Sequence, residues 1–321
     1  MPLRSRRAAL AVLVVCAAAA ARAEEPPALN GFALTDLRVP KEHLVAGGPK
    51  RDEIRSVDAP KFASLEEATW VLAENPVIGV SIGNESRVYP VHLVERHQVV
   101  NDVVGGTPLA VTYDPLAGTP IVYERTVDGK VLEFGVAGIL YNANFLMYDR
   151  ATESLWSQFR GEAFSGPLAG KKLRRVLSRQ ETLAGWLERH PDSKVLTPPS
   201  DQIDYRYSPF SSYWVSAKIP GRVDAADDRF HPKEVVLGVV RDGKARAYLG
   251  SLVTQAGGKV DDEIAGRKLK IAYDSQDSVF RWDVPADVEV TEAYWFAWKA
   301  FHPDTEVWHD PGPLSEPKPA R

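Results

Sequence analysis

The sequence predicts an α+β fold in which β predominates, built from two duplicated units of mixed or antiparallel strands, each closed by a short helix. Three observations lead there. The stretch 97–118 returns in faded form at 257–274, where Asn101-Asp102 aligns with Asp261-Asp262, Gly106 with Gly266, and Tyr113-Asp114 with Tyr273-Asp274, all without a gap. Two apolar runs, 77–82 and 236–239, each pass through a Gly-containing turn into a second run, 86–89 and 245–248. Leu183, Trp186 and Leu187 share helical spacing, as do Tyr294, Trp298 and Phe301, and both patterns stop at His-Pro-Asp, 190–192 and 302–304.

Composition narrows the class. The chain has 321 residues, 44% of them apolar, which is enough for an ample core or two smaller ones. Residues 1–23 read as a signal peptide: Arg4, Arg6 and Arg7, an apolar run over 8–21, then Ala21-Arg22-Ala23 as a cleavage site. Arg6-Arg7 leaves the export route, Sec or twin-arginine, open. Cys16 lies in the apolar run without the small residue before it that a lipoprotein signal needs. Four of the 39 basic residues and none of the 43 acidic ones lie in this segment, so cleavage takes the net charge from −4 to −8. An acidic mature chain argues against nucleic acid as partner. Cleavage also removes the only cysteine, so no disulfide or thiolate ligand remains. No later apolar run is long enough to span a bilayer.

In chain order, residues 24–52 form an extended lead-in punctuated by Pro26-Pro27 and Gly47-Gly48-Pro49. The first β unit covers 53–196. Ser64 and Glu67 make a capping box for a helix with Leu65, Ala68 and Leu72 on one face, ending before Asn75-Pro76. Strands follow at 77–82, 86–89, 109–113 and 121–125, and the second unit, 234–308, repeats them at 236–239, 245–248, 269–273 and 279–282. A second capping box, Ser178 with Glu181, and Thr291 start the two closing helices, and short strands at 194–196 and 306–308 come after them. Residues 197–233 connect the units and carry Tyr205, Tyr207, Phe210 and Trp214, too aromatic for a free linker. A tail, 309–321, closes the chain.

The first unit alone holds an insertion, 131–177, dense in Tyr, Asn, Asp, Arg, Trp and Gln. It directs the search for a site to Tyr141, Asn142, Asp149, Arg150, Trp156 and Gln158, which line a ligand cleft on one reading and tie the insertion to the sheet on the other. His97 has no histidine counterpart in the second copy, where Gly257 stands, and serves either as a general base oriented by Asp102 or Asp114 or as a satisfied structural residue. The second copy keeps Tyr273-Asp274, so Asp114 also suits a turn that needs an acceptor for backbone N–H groups. His190 and His302 read as partners of helix C-termini.

Several marks together resemble a known family: Gly47-Gly48-Pro49, His97 with Val100-Asn101-Asp102, Val111-Thr112-Tyr113, Pro115-Leu116 with Gly118-Thr119, Leu140-Tyr141-Asn142, Met147-Tyr148-Asp149-Arg150 and the run 153–158. Over about residues 39–308 the chain is similar to the secreted bacterial and archaeal proteins grouped as domain of unknown function 3179. The resemblance brings no reaction with it. It does imply a departure, because members of the family carry Cys-x-x-Cys where this chain has Asp114 and Ala117. Such a pair suggests soft-metal or thiol redox chemistry. The remaining positions that answer to a metal set are His97, Asp114 and Met147, of which Met147 equally reads as core filling.

The expectation is a periplasmic or secreted binding or accessory protein, its ligand a small molecule or another periplasmic protein, that has given up the family's metal or redox centre. The alternatives are a small-molecule enzyme or metal-binding protein using His97, Asp114 and Asp149, and a partner-binding surface made by the aromatics of 205–214. The cofactor stays open between a divalent metal and none.

Overall fold

A computed structural model describes residues 26–225 and 227–309. The expected signal peptide and the tail beyond residue 309 lie outside the described residues. The protein is mainly β, with multiple small sheets in a propeller-like arrangement and five short α-helices among the described residues.

Strand pairing falls into recurring patterns. The hairpin Pro76–Ile82/Glu85–Pro90 is flanked by Ser178–Thr182, antiparallel to its first strand, and by Lys194–Leu196, parallel to its second. In the second half Val235–Arg241/Lys244–Leu249 is flanked by Glu289–Tyr294, antiparallel, and Glu306–Val307, parallel. Each hairpin then passes through a short helix, Val91–Val94 or Gly250–Gln255, into a three-strand meander: Val99–Val104, Thr107–Asp114 and Thr119–Glu124, or Lys259–Ile264, Arg267–Asp274 and Val279–Asp283. The first meander gains a fourth strand, Arg174–Val176.

Most of the insertion forms a sheet of its own, Phe134–Tyr141, Asn144–Asp149, Leu155–Ser157 and Ala163–Ser165, and the lead-in strand Leu44–Ala46 pairs along its edge. Asn142 and Ala143, both at positive φ (53° and 56°), make the two-residue hairpin turn that this backbone twist favours. Tyr141, Leu146, Tyr148 and Phe159 share one core with Val236, Trp295, Trp298 and Phe301 of the second half, so the insertion is packed onto the other unit. The connection packs across as well: Tyr205 belongs to the first half's core, and Phe230 meets the Trp295 ring edge-on.

Of the three helices the sequence suggested, one does not form and two begin later, while three short ones, Val91–Val94, Ser211–Trp214 and Gly250–Gln255, were not expected. At Ser64 the capping interaction is present, with Glu67 accepting from the Ser64 backbone N–H and hydroxyl, but only turns follow. Leu65 and Leu72 are exposed while Ala68 and Val71 are buried, so the stripe that would support a helix does not face the core. Ser178–Thr182 and Glu289–Tyr294 are strands, not first helical turns; the edge of each hairpin offers a ladder that outcompetes the cap. The closing helices are Leu183–Leu187, with Thr182 as N-cap accepting from Gly185 N–H, and Trp295–Phe301.

Both helices drop a tryptophan onto a strand glycine. A Cβ at Gly79 would come within 2.2 Å of the Trp186 ring, and one at Gly238 within 2.2 Å of Trp298. Trp186 donates its Nε1–H to Ser193 and Trp298 to Thr305, over 2.8 and 2.9 Å. His190 and His302 stack on these indoles at 4.1 and 4.0 Å, which is the contact that holds them at the helix ends.

Candidate functional site

Asp114 ends its strand fully buried, at the centre of a polar network that reaches into the insertion. Its Oδ2 accepts from Asn144 Nδ2 at 2.7 Å and from the Phe145 N–H at 2.9 Å; its Oδ1 accepts from the Leu116 N–H at 2.8 Å and the Ala117 N–H at 3.4 Å. Asn144 also donates to Gln158 Oε1, which Thr119 reaches too, while Gln158 Nε2 donates to Thr112 Oγ1 and the Thr119 carbonyl. Burial raises Asp114 to about 6, with those N–H donors working in the opposite direction. In the second half Asp274 makes the same turn contacts, from the N–H groups of Gln276 and Asp277.

This centre is sealed. Ala117 packs with Ala143, Phe296 and Ala297, and its carbonyl accepts from the Tyr294 N–H. Gly118, at φ 65°, lies so close to the Tyr294 ring that a Cβ would sit 2.9 Å from it. From the connection, Tyr213 donates to the Leu116 carbonyl and Trp214 to that of Pro115. Nothing here resembles an open site, because each polar atom of Asp114 and Gln158 is spent on the protein.

The remaining sequence-selected residues are each engaged by other partners. His97 is buried with both ring nitrogens committed: the Arg55 carbonyl can only accept, so Nδ1 carries the proton, and Nε2 accepts from the Tyr205 hydroxyl. Burial lowers its pKa and keeps it neutral. Asp102 anchors Arg87 and the Tyr89 hydroxyl, each at 2.5 Å. Asp149 closes its own turn through Thr152 and accepts from Trp156 Nε1 at 3.0 Å. Met147 is fully buried in the core of the inserted sheet. Tyr141 is core, edge-on to Phe164, and Asn142 accepts from the Asp224 N–H. Arg150 pairs with Asp52, Asp58 and Glu133, tying the lead-in to the insertion. His97, Asp114 and Met147 therefore do not converge as ligands, and among the described residues no three His, Cys, Asp or Glu side chains are grouped to hold a metal ion. Of the aromatics on the connection, Tyr207 is 69% exposed and Tyr205, Tyr213 and Trp214 are engaged with the first half.

A cleft of about 610 Å³ lies between the halves, a volume suited to a small ligand. Its floor and apolar walls include Ile121, Val176, Trp282 and Val288. Three carboxylates line it. Asp287 is taken by Arg241 and Arg267, and Glu289 by Arg175. Glu292 is 7% exposed, and burial raises it to about 8 against weaker opposition from the Gln180 backbone, Arg179 and the Trp282 side chain. Arg179 stacks on the Trp282 ring at 3.9 Å and donates to the Trp282 carbonyl; among the described residues no carboxylate lies within ion-pair distance of it. Burial lowers its pKa as well, outweighing the pull of Glu181, Glu292 and Asp283, none of which reaches it as an ion pair.

A family model described as "Protein of unknown function (DUF3179)" matches residues 51–305. The chain belongs to that family. No curated protein and no solved structure matches it.

For this DUF3179 member, sequence reasoning named Asp114 and Gln158 separately and missed Asn144 as the residue joining them. It also missed the cleft. Arg179 and Glu292 fall on segments read as helix starts, and only a strand assignment, placing Arg179 and Glu181 on one face, would have directed attention to them.

Proposed function

We propose that this is an exported binding protein, without catalytic chemistry at the Asp114 turn, that takes a small organic anion in the cleft between its two halves. The observation that carries the reading is Arg179: a half-buried guanidinium, stacked on Trp282 and lining a cleft of about 610 Å³, with no carboxylate among the described residues at ion-pair distance. Such a group is held at a cost unless an anion completes it. Apolar walls beside it favour a ligand with an apolar body. Asp114 and Ala117, where the family resemblance leads one to expect cysteines, then belong to the scaffold, and export rests on the charge and apolar pattern of residues 1–23.

The two halves are, on this proposal, copies of one ancestral unit. Their sheets share strand order and direction, their helix tryptophans cover equivalent glycines, and Asp102 with Arg87 and Tyr89 is matched by Asp262 with Arg246 and Tyr248. A ligand site at the junction of two copies is a common outcome of duplication, since binding pockets favour domain interfaces.

The test is a thermal-shift comparison of aromatic carboxylates, aromatic amines and neutral aromatics on the mature protein and on Arg179→Gln. Stabilisation by carboxylates alone, lost in Arg179→Gln, supports the reading. Equal responses to amines and carboxylates, or responses indifferent to Arg179, would refute it.

A further inference from the structure

We infer that Glu292 sets the ligand class of the cleft, donating a carboxyl O–H beside Arg179 so that a monoanionic carboxylate is accepted and a dianion such as a phosphate monoester is refused. This rests on the cleft reading above and adds a second residue and a charge rule to it.

The geometry supplies the parts. Arg179 and Glu292 line the same cavity, Arg179 from Ser178–Thr182 at the edge of one sheet of the first half and Glu292 from Glu289–Tyr294 at the edge of one sheet of the second. Glu292 is 7% exposed, so an ionised carboxylate there would be poorly solvated. The groups that face it explain why Arg179 does not simply claim it as a partner. From Ser178–Thr182 come Arg179, which favours the charged form, and Glu181, which opposes it. Trp282 reaches it from Val279–Asp283, and the Tyr113 and Tyr273 phenols feel its charge from the two meanders. Glu181 is itself paired with Arg189. Burial and Glu181 together outweigh Arg179, and Glu292 holds its proton at neutral pH.

A neutral carboxyl next to a guanidinium offers one positive charge and one extra donor, which is the complement of a carboxylate. A dianion would bring a second charge that no buried cation meets. Arg175 is neutralised by Glu289, and Arg160 and Lys172, though they line the cleft, are exposed to water. The apolar lining from Ile121, Val176, Trp282 and Val288 receives the rest of the ligand.

The experiment is a calorimetric titration of the mature protein with phenylacetate and with phenyl phosphate at pH 7 and pH 9.5, repeated on Glu292→Gln and Arg179→Gln. The expected result is phenylacetate binding at pH 7 that weakens by roughly tenfold or more at pH 9.5 in the wild type, as Glu292 ionises. Glu292→Gln, which keeps an N–H donor, should bind alike at both pH values, and phenyl phosphate should bind the wild type at least about tenfold more weakly than phenylacetate at pH 7. Arg179-dependent phenylacetate binding that is the same at both pH values, or phenyl phosphate bound as tightly, overturns the role of Glu292 and leaves the cleft reading standing. Absence of binding by both probes, or binding untouched in Arg179→Gln, overturns the cleft reading and this inference with it. The wild-type pH comparison needs no variant to fold.

Discussion

Asn144 hands one N–H to Asp114 and shares its other contacts with Gln158 and the Phe159 N–H, so one side chain of the insertion closes the turn of the first meander. Four N–H donors converge on Asp114, all in a region with no access to water. Asp114→Ala leaves them unanswered and should cost about 3–5 kcal/mol, the range for breaking a buried, hydrogen-bonded charge. Asp114→Asn keeps one acceptor oxygen and should cost less. Urea denaturation with an unchanged m-value would measure both. A loss under about 0.5 kcal/mol for Asp114→Ala would mean the network is not what holds the insertion against the meander.

Gly79 and Gly238 make a paired prediction. Each lies mid-strand under an indole ring, and a methyl at 2.2 Å from ring carbons forces the whole closing helix away. Gly79→Ala and Gly238→Ala should each cost about 3 kcal/mol, and within about 1 kcal/mol of one another if the halves are built alike. Thermal unfolding of both variants checks this. A large effect in one and none in the other would show that the two helix contacts are not equivalent.

The fold was legible where the signal was periodic and local, and illegible where two patterns competed for the same residues. The hairpins at 76–90 and 235–249 follow from alternating apolar residues around turns with positive φ at Gly83, Asp242 and Gly243. Ser178 to Glu181 satisfies a capping-box pattern and also fills four places on a strand; local sequence cannot choose, because the deciding hydrogen bonds come from residues 76–80, about a hundred positions away. The candidate site suffered from the same limit. Asp149, Arg150 and Trp156 are rich in chemistry but serve one another and the lead-in, whereas Arg179 is distinguished only by the carboxylate it lacks, and absence of a partner is a property of the fold.

Stability should fall as pH rises above neutrality. Glu95, Asp114 and Glu292 are raised to about 7, about 6 and about 8, so the folded state binds protons that the unfolded chain releases near its ordinary carboxylate values. Their contribution is complete below about pH 4 and is lost as pH climbs through each folded value. His302, lowered to about 4 by burial, acts the other way between its ordinary value and that one, and so confuses the acid side only. Between pH 6.5 and 8.5 the fall should be about 2 kcal/mol, mostly from Glu292. Glu292→Gln should flatten it and Glu95→Gln, at a buried carboxyl with only a weak contact to Ser208, should remove a smaller part near pH 7. A wild-type stability that is level or rising over this window contradicts the assignment.

Asp102 was a candidate for orienting a catalytic histidine, and its contacts give it a different task that can be measured. It accepts from Arg87, from the Tyr89 hydroxyl and from the Val103 N–H, while His97 is held by Arg55 and Tyr205. Asp262 in the second half accepts from Arg246, Tyr248 and the Glu263 N–H. The two differ in burial, 6% against 20% side-chain exposure, and a charge-assisted contact counts for more where water cannot replace it. Asp102→Asn should therefore cost about 2–3 kcal/mol and Asp262→Asn about 1 kcal/mol. Carboxylate binding in the cleft should be unchanged in both, because neither aspartate lines it. A variant of Asp102 that keeps its stability but loses ligand binding would return this residue to the functional site.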